Sequence, residues 1–318
     1  MLEITHIKVT VIIPAFNAEP YIQQALESVL NQTEQNLEVI ICDDCSTDNT
    51  VTVIQSMINI DNRIKLLKNT HNKGPSYSRN RAITEAKGDW IAILDADDFY
   101  HKDRLKALLL LAESNQADMV ADNICYVDVD GNHKIIAIED SKLNSQIKVI
   151  DAKTYIENDL PTTTSFNYGF LQPIIRTAFL KENQISYDES TNLGEDFILC
   201  AELLIKGAKF ILTKHPYYYY RVVDQSLSRS GDNQSYHELL NNNAKLIHYS
   251  KSANNHEITI LLEIRQKSYA DVIIFNQIIE FIKQKQFYLA ITKLLSNQQS
   301  WLTCMRLGHQ YLIKRLTK

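Results

Sequence analysis

The 318-residue chain reads as an α/β protein: a mostly parallel central sheet with helices on both faces, followed by a helical C-terminal extension. Three observations predict this. Short apolar runs alternate with segments of helical periodicity through the first 115 residues. Polar and acidic residues follow several of those runs, at the strand ends where open parallel sheets hold ligands. From about residue 230 onward the pattern is helical, with many Asn, Gln and Lys on polar faces.

The elements follow in order. Val9-Thr10-Val11-Ile12-Ile13 predicts a strand stopped by Pro14. Tyr21, Ile22, Ala25, Leu26, Val29 and Leu30 recur at helical spacing. Residues 37–42 predict a second strand, and Asp48 or Asn49 caps a helix through Val53, Ile54 and Met57. Residues 64–67 form a short third strand. Pro75 at the first helical position and Gly88 just past the end bound a helix reaching Lys87. Residues 90–94 are the fourth strand, and residues 105–111 lie on the next helix. Such repeated strand–helix units imply parallel pairing. The middle is less regular. Residues 118–129 and 133–138 flank Asp130-Gly131, a hairpin turn signal. Residues 169–176 predict a strand, and a helix from Gly194 ends at Gly207. Residues 209–212 and 217–221 return to strand. No internal repeat is evident.

Composition bounds the function. At 45% hydrophobic and 22% charged residues the chain has ample core material for a globular protein. It shows no apolar run of membrane-spanning length and no signal-peptide pattern, which predicts a cytoplasmic protein. The five cysteines are scattered. Cys42 and Cys45 form a C-x-x-C, but Asp43 and Asp44 would raise a thiol pKa, so a redox role is disfavoured. The net charge of −5 is unevenly spread. No Asp or Glu follows Glu280, and Lys283, Lys285, Lys293, Arg306, Lys314, Arg315 and Lys318 give that tail +7. Trp301, Leu302, Met305, Leu312, Ile313 and Leu316 fall near one face of a tail helix. Such a tail predicts peripheral contact with an anionic membrane at its inner face, or else packing on the rest of the protein.

Asp95-Ala96-Asp97-Asp98 closes the fourth strand. Three carboxylates there are costly to hold together unless something positive lies between them. Mg²⁺ or Mn²⁺ carrying a diphosphate answers that need, since such ions bind through one or two carboxylates plus substrate phosphates. Glu195-Asp196 is a second acidic site, with helix N-terminal stabilisation as the plainer explanation.

These residues together resemble family 2 glycosyltransferases. The resemblance covers about residues 8 to 230, through Val9-Thr10-Val11-Ile12-Ile13-Pro14-Ala15-Phe16-Asn17-Ala18, Ser28-Val29-Leu30-Asn31-Gln32-Thr33 and Ile41-Cys42-Asp43-Asp44-Cys45-Ser46-Thr47-Asp48. It continues through Asn72-Lys73-Gly74-Pro75-Ser76-Tyr77-Ser78-Arg79-Asn80, the aspartates at 95, 97 and 98, Gly194-Glu195-Asp196, and Tyr220-Arg221 with Ser226-Leu227-Ser228. Cys45 departs from the glycine usual there. The resemblance implies a GT-A fold, Rossmann-like, in an inverting enzyme, with a nucleotide-binding half at 1–115, an acceptor half at 116–230 and a helical extension at 231–318. A UDP-sugar donor would be held by Pro14, Ala15, Phe16, Asn17, Asp43, Asp44, Arg79 and Asp95. Asp44 would accept the uracil N3–H, and Phe16 would stack on the base unless it is a core aromatic. Arg79 would bind phosphate, or form a salt bridge. Asp97 would hold the divalent cation, with Asp95 reaching it through water or holding the ribose. Asp196 would be the base, and Glu195 would pair with a cation or bind acceptor. Arg221 and Ser226 are candidate phosphate or acceptor contacts. The acceptor would be a saccharide, lipid-linked, in capsule, exopolysaccharide or lipopolysaccharide assembly.

Other classes fit less well. A sugar nucleotidyltransferase would place a glycine-rich basic loop after the first strand, where this chain has neither glycine nor a basic residue. Nucleic-acid binding is disfavoured by an acidic body and a tail with few aromatics among its basic residues. A non-catalytic sugar-nucleotide-binding protein would have no need of both Asp97 and Asp196.

Overall fold

The computed structural model describes residues 7–130, 132, 134–138, 145–161, 163, 166–191, 193–222 and 233–316. β1 (Val9–Ala15) pairs in parallel with β2 (Leu37–Asp43) on one side and β4 (Trp90–Ile93) on the other. β3 (Ile64–Lys68) extends the sheet beyond β2. α1 (Ile22–Leu30), α2 (Thr50–Ile58) and α3 (Pro75–Glu85) make the crossovers. Val9, Val11, Ile13 and Ala15 join one core with α1, α2 and the later helix α4 (Arg104–Asn115). On the other face Thr10, Ile12, Ile40 and Cys42 are buried too, and α3 packs over both strands. The sheet is therefore covered on both faces, as the continuous apolar runs require.

Beyond β4 the sheet becomes mixed. β5 (Phe99–Tyr100), β6 (Met119–Val127), β7 (Ile135–Ile136), β8 (Ile147–Ile150), β9 (Ile174–Arg176) and β10 (Phe210–Arg221) complete the order β3-β2-β1-β4-β9-β6-β10-β5, with β7 on β6 and β8 on β10. β9 lies antiparallel between β4 and β6. The strand order reverses at β1, and in such sheets the ligand crevice opens beyond the carboxyl ends of the strands at that point.

Several sequence expectations need correction. Pro14 does not stop β1 but pairs with Cys42 inside it. β4 pairs only with Val9–Ile12, so Pro14 lies where the strand has one neighbour and a missing N–H is tolerated. α3 ends at Glu85, short of Lys87. Gly88 is not its cap: a Cβ there would lie 2.5 Å from the Thr10 nitrogen, so Gly88 is fitted to the backbone of β1. Its N–H donates to Thr10 Oγ1 at 2.9 Å. Residues 168–170 form a turn of 3₁₀ helix, and only 174–176 are strand. Residues 209–212 and 217–221 belong to one strand, β10, whose register shifts around Pro216. β8 and the short helices α5 (Ala152–Glu157) and α6 (Thr177–Asn183) were not anticipated. The helix at 194–207 is present as α7 (Glu195–Ile205), framed by Gly194 at φ 78° and Gly207 at φ 92°.

The chain forms two compact units, residues 1–151 with 169–226, and residues 152–168 with 227–318. The sequence division at 230 placed 152–168 with the first part, whereas in the structure this segment belongs with the C-terminal helices. Those are α8 (Asn233–Ser252), α9 (His256–Lys283), α10 (Phe287–Ser296) and α11 (Trp301–Leu316). Within the second unit α5 packs on α9. Buried Arg265 on α9 donates to Asp159 Oδ2 and to Asn243 Oδ1 at 2.8 Å, tying three segments. Among the described residues no helix is long and apolar enough to cross a membrane.

Candidate active site

The carboxyl ends of β1, β2 and β3 lie level, because Ala15 pairs with Asp43 and Asp43 with Lys68. Pro14 and Ala15 belong to the strand, and Ala15 is buried. Phe16 then leaves the sheet and is 49% exposed, so it is not a core aromatic. Asn17 takes a left-handed backbone at φ 48°, and its Oδ1 accepts from the Thr47 N–H at 2.8 Å. The first two strand-end loops are thereby tied together. Cys45 stands at φ 68°, a conformation that costs any residue but glycine. That is a physical reason for the glycine that the family resemblance leads one to expect there.

The two aspartates after β2 differ in their partners. Asp44 is buried and accepts from Asn69 Nδ2 at 2.7 Å, Lys73 N at 2.9 Å and Gly74 N at 2.7 Å. It anchors the loop that leads into α3. The helix α2 is served instead by Asp48, which accepts from Thr50 N at 3.0 Å. Asp43 is equally buried, yet its Oδ1 has no hydrogen-bond partner. Its Oδ2 accepts from Ser46 N at 3.3 Å.

The acidic turn after β4 is not a ring of three equivalent carboxylates. Asp98 is buried and turned inward, accepting from Tyr218 Oη and from Arg221 N, both at 2.7 Å. Burial, then the charges of Asp97 and Asp95, push its carboxyl well above the usual range. Asp97 is half-buried, and burial followed by the charge of Asp95 pushes it up to about 6. Arg221 does not face outward as a phosphate contact would. It is 3% exposed and donates to Asp97 O at 2.8 Å, to Val129 O and to Gln24 Oε1. It fixes the acidic turn against β10. Ser226, its partner in the sequence reading, lies outside the described residues, as do Leu227, Ser228 and Gly131.

Arg79 joins the two acidic sites. It sits on α3, 3% exposed, with Nη2 donating to Asp95 Oδ1 and Nη1 to Glu195 Oε1, each at 2.8 Å. Asp196 Oδ1 lies 3.9 Å from Nη1. The salt-bridge reading of Arg79 is therefore what the structure contains, buried rather than on the surface. Burial alone would lower its pKa, but Asp196, Asp95, Tyr187 and Glu195 hold it well above the ordinary value. Burial raises Asp95 and Glu195 in turn, against the pull of Arg79. Asp196 accepts from Gln172 Nε2 at 3.3 Å, while its Oδ1 is buried with no hydrogen-bond partner.

Several residues that order this site carry no sequence signal. Gln172 lies on the segment before β9, and its carbonyl is held by buried Arg104, which pairs with Asp122 at 2.8 Å. Tyr187 lies against Arg79, whose guanidinium is 5.2 Å from the ring centre. Asn80 and Gln32, by contrast, lie within motifs of the sequence: Asn80 clamps the Tyr187 backbone through both its amide atoms, at 2.8 and 2.9 Å, and Gln32 accepts from Leu105 N at 3.0 Å and locks α1 to α4. All five cysteines are free, and burial raises Cys42, so the redox reading of Cys42 and Cys45 gains nothing.

Among the described residues no group of three or more His, Cys, Asp or Glu is arranged to enclose a metal ion by itself. The donor chemistry suits an ion that shares its shell with ligand phosphates: Asp97 offers a half-buried carboxyl, and Asp95 stands beside it, occupied on one oxygen by Arg79.

Known proteins share this arrangement of fold and motifs. The family model described as Glycosyl transferase family 2 matches residues 10–181, more than half of the chain, and the chain belongs to that family. It is 32% identical over 221 residues to the succinoglycan biosynthesis protein ExoO of Rhizobium meliloti, covering 70% of this chain and 62% of that protein. The chain thus spans about three-fifths of that relative's length. The structure of S. aureus TarS 1–349 in complex with UDP-GlcNAc superposes with a TM-score of 0.66 at 23% identity, covering 89% of this chain and 79% of that one. Mannosyltransferase PcManGT of Pyrobaculum calidifontis, in complex with GDP-Man and Mn²⁺, gives 0.56 at 14% identity, covering 96% and 87%. These likenesses show a GT-A fold.

Proposed function

We propose that this protein is an inverting glycosyltransferase, moving a sugar from a UDP-sugar to a hydroxyl of a saccharide acceptor. We place the acceptor on a lipid carrier, in the assembly of a surface polysaccharide. The observation that carries this reading is Arg79, a single buried guanidinium paired with Asp95 from the strand end and Glu195 from α7. It gathers carboxylates separated by about a hundred residues into one site beyond the switch point of the sheet. The name of ExoO supports the polysaccharide class, and the UDP-GlcNAc bound by TarS supports the donor class.

The residues then divide the work. Exposed Phe16 offers a face to the base; because Asp44 is engaged by Asn69, Lys73 and Gly74, the uracil N3–H contact expected of Asp44 moves to Asp43, whose Oδ1 has no hydrogen-bond partner. Asp97, backed by Asp95, would hold a divalent cation, which when bound neutralises charge on the departing diphosphate. Asp196 takes the proton of the attacking hydroxyl. As that oxygen bonds to the anomeric carbon, the bond from this carbon to the phosphate oxygen breaks on the opposite face, and UDP leaves. Configuration inverts, so an α-linked donor yields a β-linked product.

Asp97 tests the donor half of this reading. UDP-sugar hydrolysis and transfer are measured with a panel of donors, with and without chelator. Activity is expected to fall to background in chelator and to return with Mn²⁺ or Mg²⁺. Asp97→Ala is expected to remain inactive with added metal and to bind UDP more weakly. Full turnover in excess chelator would overturn the metal-dependent mechanism.

A further inference from the structure

α10 has two apolar sides, and the fold uses only one. It packs on α9 through Ala290, the one buried residue of the helix, beside Ile274, Phe275, Ile278 and Phe281. Phe287, Tyr288, Ile291 and Leu295 line a different side, spaced as one stripe, and stand 58%, 80%, 58% and 54% exposed. At the start of α11, Leu302 is 79% and Met305 64% exposed. Asp271 fixes that start on α9, accepting from Ser300 Oγ at 2.6 Å and Thr303 Oγ1 at 2.8 Å. The exposure is therefore built on an anchored frame. Scattered single apolar residues need no explanation, but four on one side of one helix do.

Charge says what covers it. The stretch from 281 to 318 contains seven Lys and Arg and no Asp or Glu. Lys283 and Lys285, just before α10, and Arg306 on α11 are exposed. A second copy docked on this face would set two such basic stretches against each other. An anionic lipid surface is complementary on both counts, taking the apolar stripe among its acyl chains and the cations among its headgroups. No described helix can span a bilayer, so the contact would lie in the interface plane. We propose that α10 and the start of α11 form an anionic-membrane docking surface. The sequence reading put this contact on a face of residues 301–316. The structure moves its centre to α10, while the side chains of Leu312, Ile313, Lys314, Arg315 and Leu316, and all of Lys318, lie outside the described residues. The inference does not depend on the donor, the metal or the base.

Vesicle sedimentation with the full chain tests it. Vesicles of phosphatidylcholine with about one-third phosphatidylglycerol are compared with pure phosphatidylcholine, across a range of NaCl, because surface charge attraction is screened by salt. Binding is expected only to the anionic vesicles and should weaken as salt rises. Phe287→Ser with Ile291→Ser, and separately Lys283→Glu with Lys285→Glu, should each weaken it by roughly tenfold or more, since apolar insertion and charge both contribute. All four positions are exposed, so melting temperature should change little, and circular dichroism checks this. Equal binding to neutral and anionic vesicles, or no binding to either, would overturn the proposal. So would a wild-type dimer in light scattering that the serine pair converts to monomer, which would assign the face to self-association.

Discussion

Asp196 is held between Gln172, Tyr187 and Arg79, with its Oδ1 3.9 Å from Arg79 Nη1, and on the proposed reading this carboxylate takes the hydroxyl proton. Asp196→Asn keeps the shape and removes the basicity. Turnover is expected to fall by roughly 10²–10⁴, the range of general-base catalysis, with donor affinity nearly unchanged. Steady-state kinetics with UDP binding measured alongside would show the split, and wild-type turnover would transfer the role to Glu195. The sequence located this carboxylate because an acidic pair follows a glycine that a helix start can use. It did not reveal Gln172 or Tyr187, which order the site. A lone Gln before a short strand has no spacing that marks it, and its meeting with Asp196 depends on where β9 enters the sheet. Arg221 failed for a related reason: an arginine at a strand end can face ligand or interior, and only the carbonyls around it decide.

At the level of elements, β1 through α4 were legible because long apolar runs alternate with strong helical periodicity. The region from β7 to α6 was not, because its elements are short and borrow their burial from distant partners. β8 is four residues long and is placed by its antiparallel pairing with β10. Gly88 shows the same limit, since glycine past a helix suggests a cap, whereas here the requirement comes from the backbone of β1. α7 carries a testable electrostatic load. Burial, then the charge of Asp188, push Glu202 up to about 7, with Lys206 pulling the other way. The unfolded chain loses this proton near 4.3, so stability falls as pH rises from there to about 7 and is level above it. Glu202→Gln removes the load. With partial exposure discounted, the variant should exceed wild type by roughly 1–3 kcal/mol at pH 8, and the gain should shrink towards pH 5. Urea unfolding at the two pH values measures this. An equal difference at both would show that Glu202 is not the titrating group.

For the whole molecule, the sequence anticipated a catalytic α/β part and a helical extension, but not that residues 152–168 belong with the latter. Tyr155 and Ile156 are buried, and the helix α5 that carries them packs on α9, about a hundred residues later in the chain, a pairing that local periodicity cannot encode. The two-unit organisation makes a prediction about ligand linkage. A nucleotide bound only by the folded state stabilises it by about 2.7 kcal/mol when present at a hundred times its dissociation constant. If the donor sits where Phe16, Asp43 and Asp97 suggest, the protection is local to the first unit. Hydrogen exchange with UDP and Mn²⁺ should slow at residues 15–18, 43–48, 69–74 and 94–98, the loops at the strand ends. Amides of α8 and α9 that open by local fluctuation should exchange as before, because the proposed nucleotide contacts all lie on loops of the first unit. Asp97→Ala should lose the protection at 94–98 first, since on the proposed reading a cation held by Asp97 would link that turn to the diphosphate. Protection confined to α8 and α9, or none at the strand ends at saturating UDP, would place the nucleotide elsewhere and remove the basis for assigning Asp97 and Asp196 their roles.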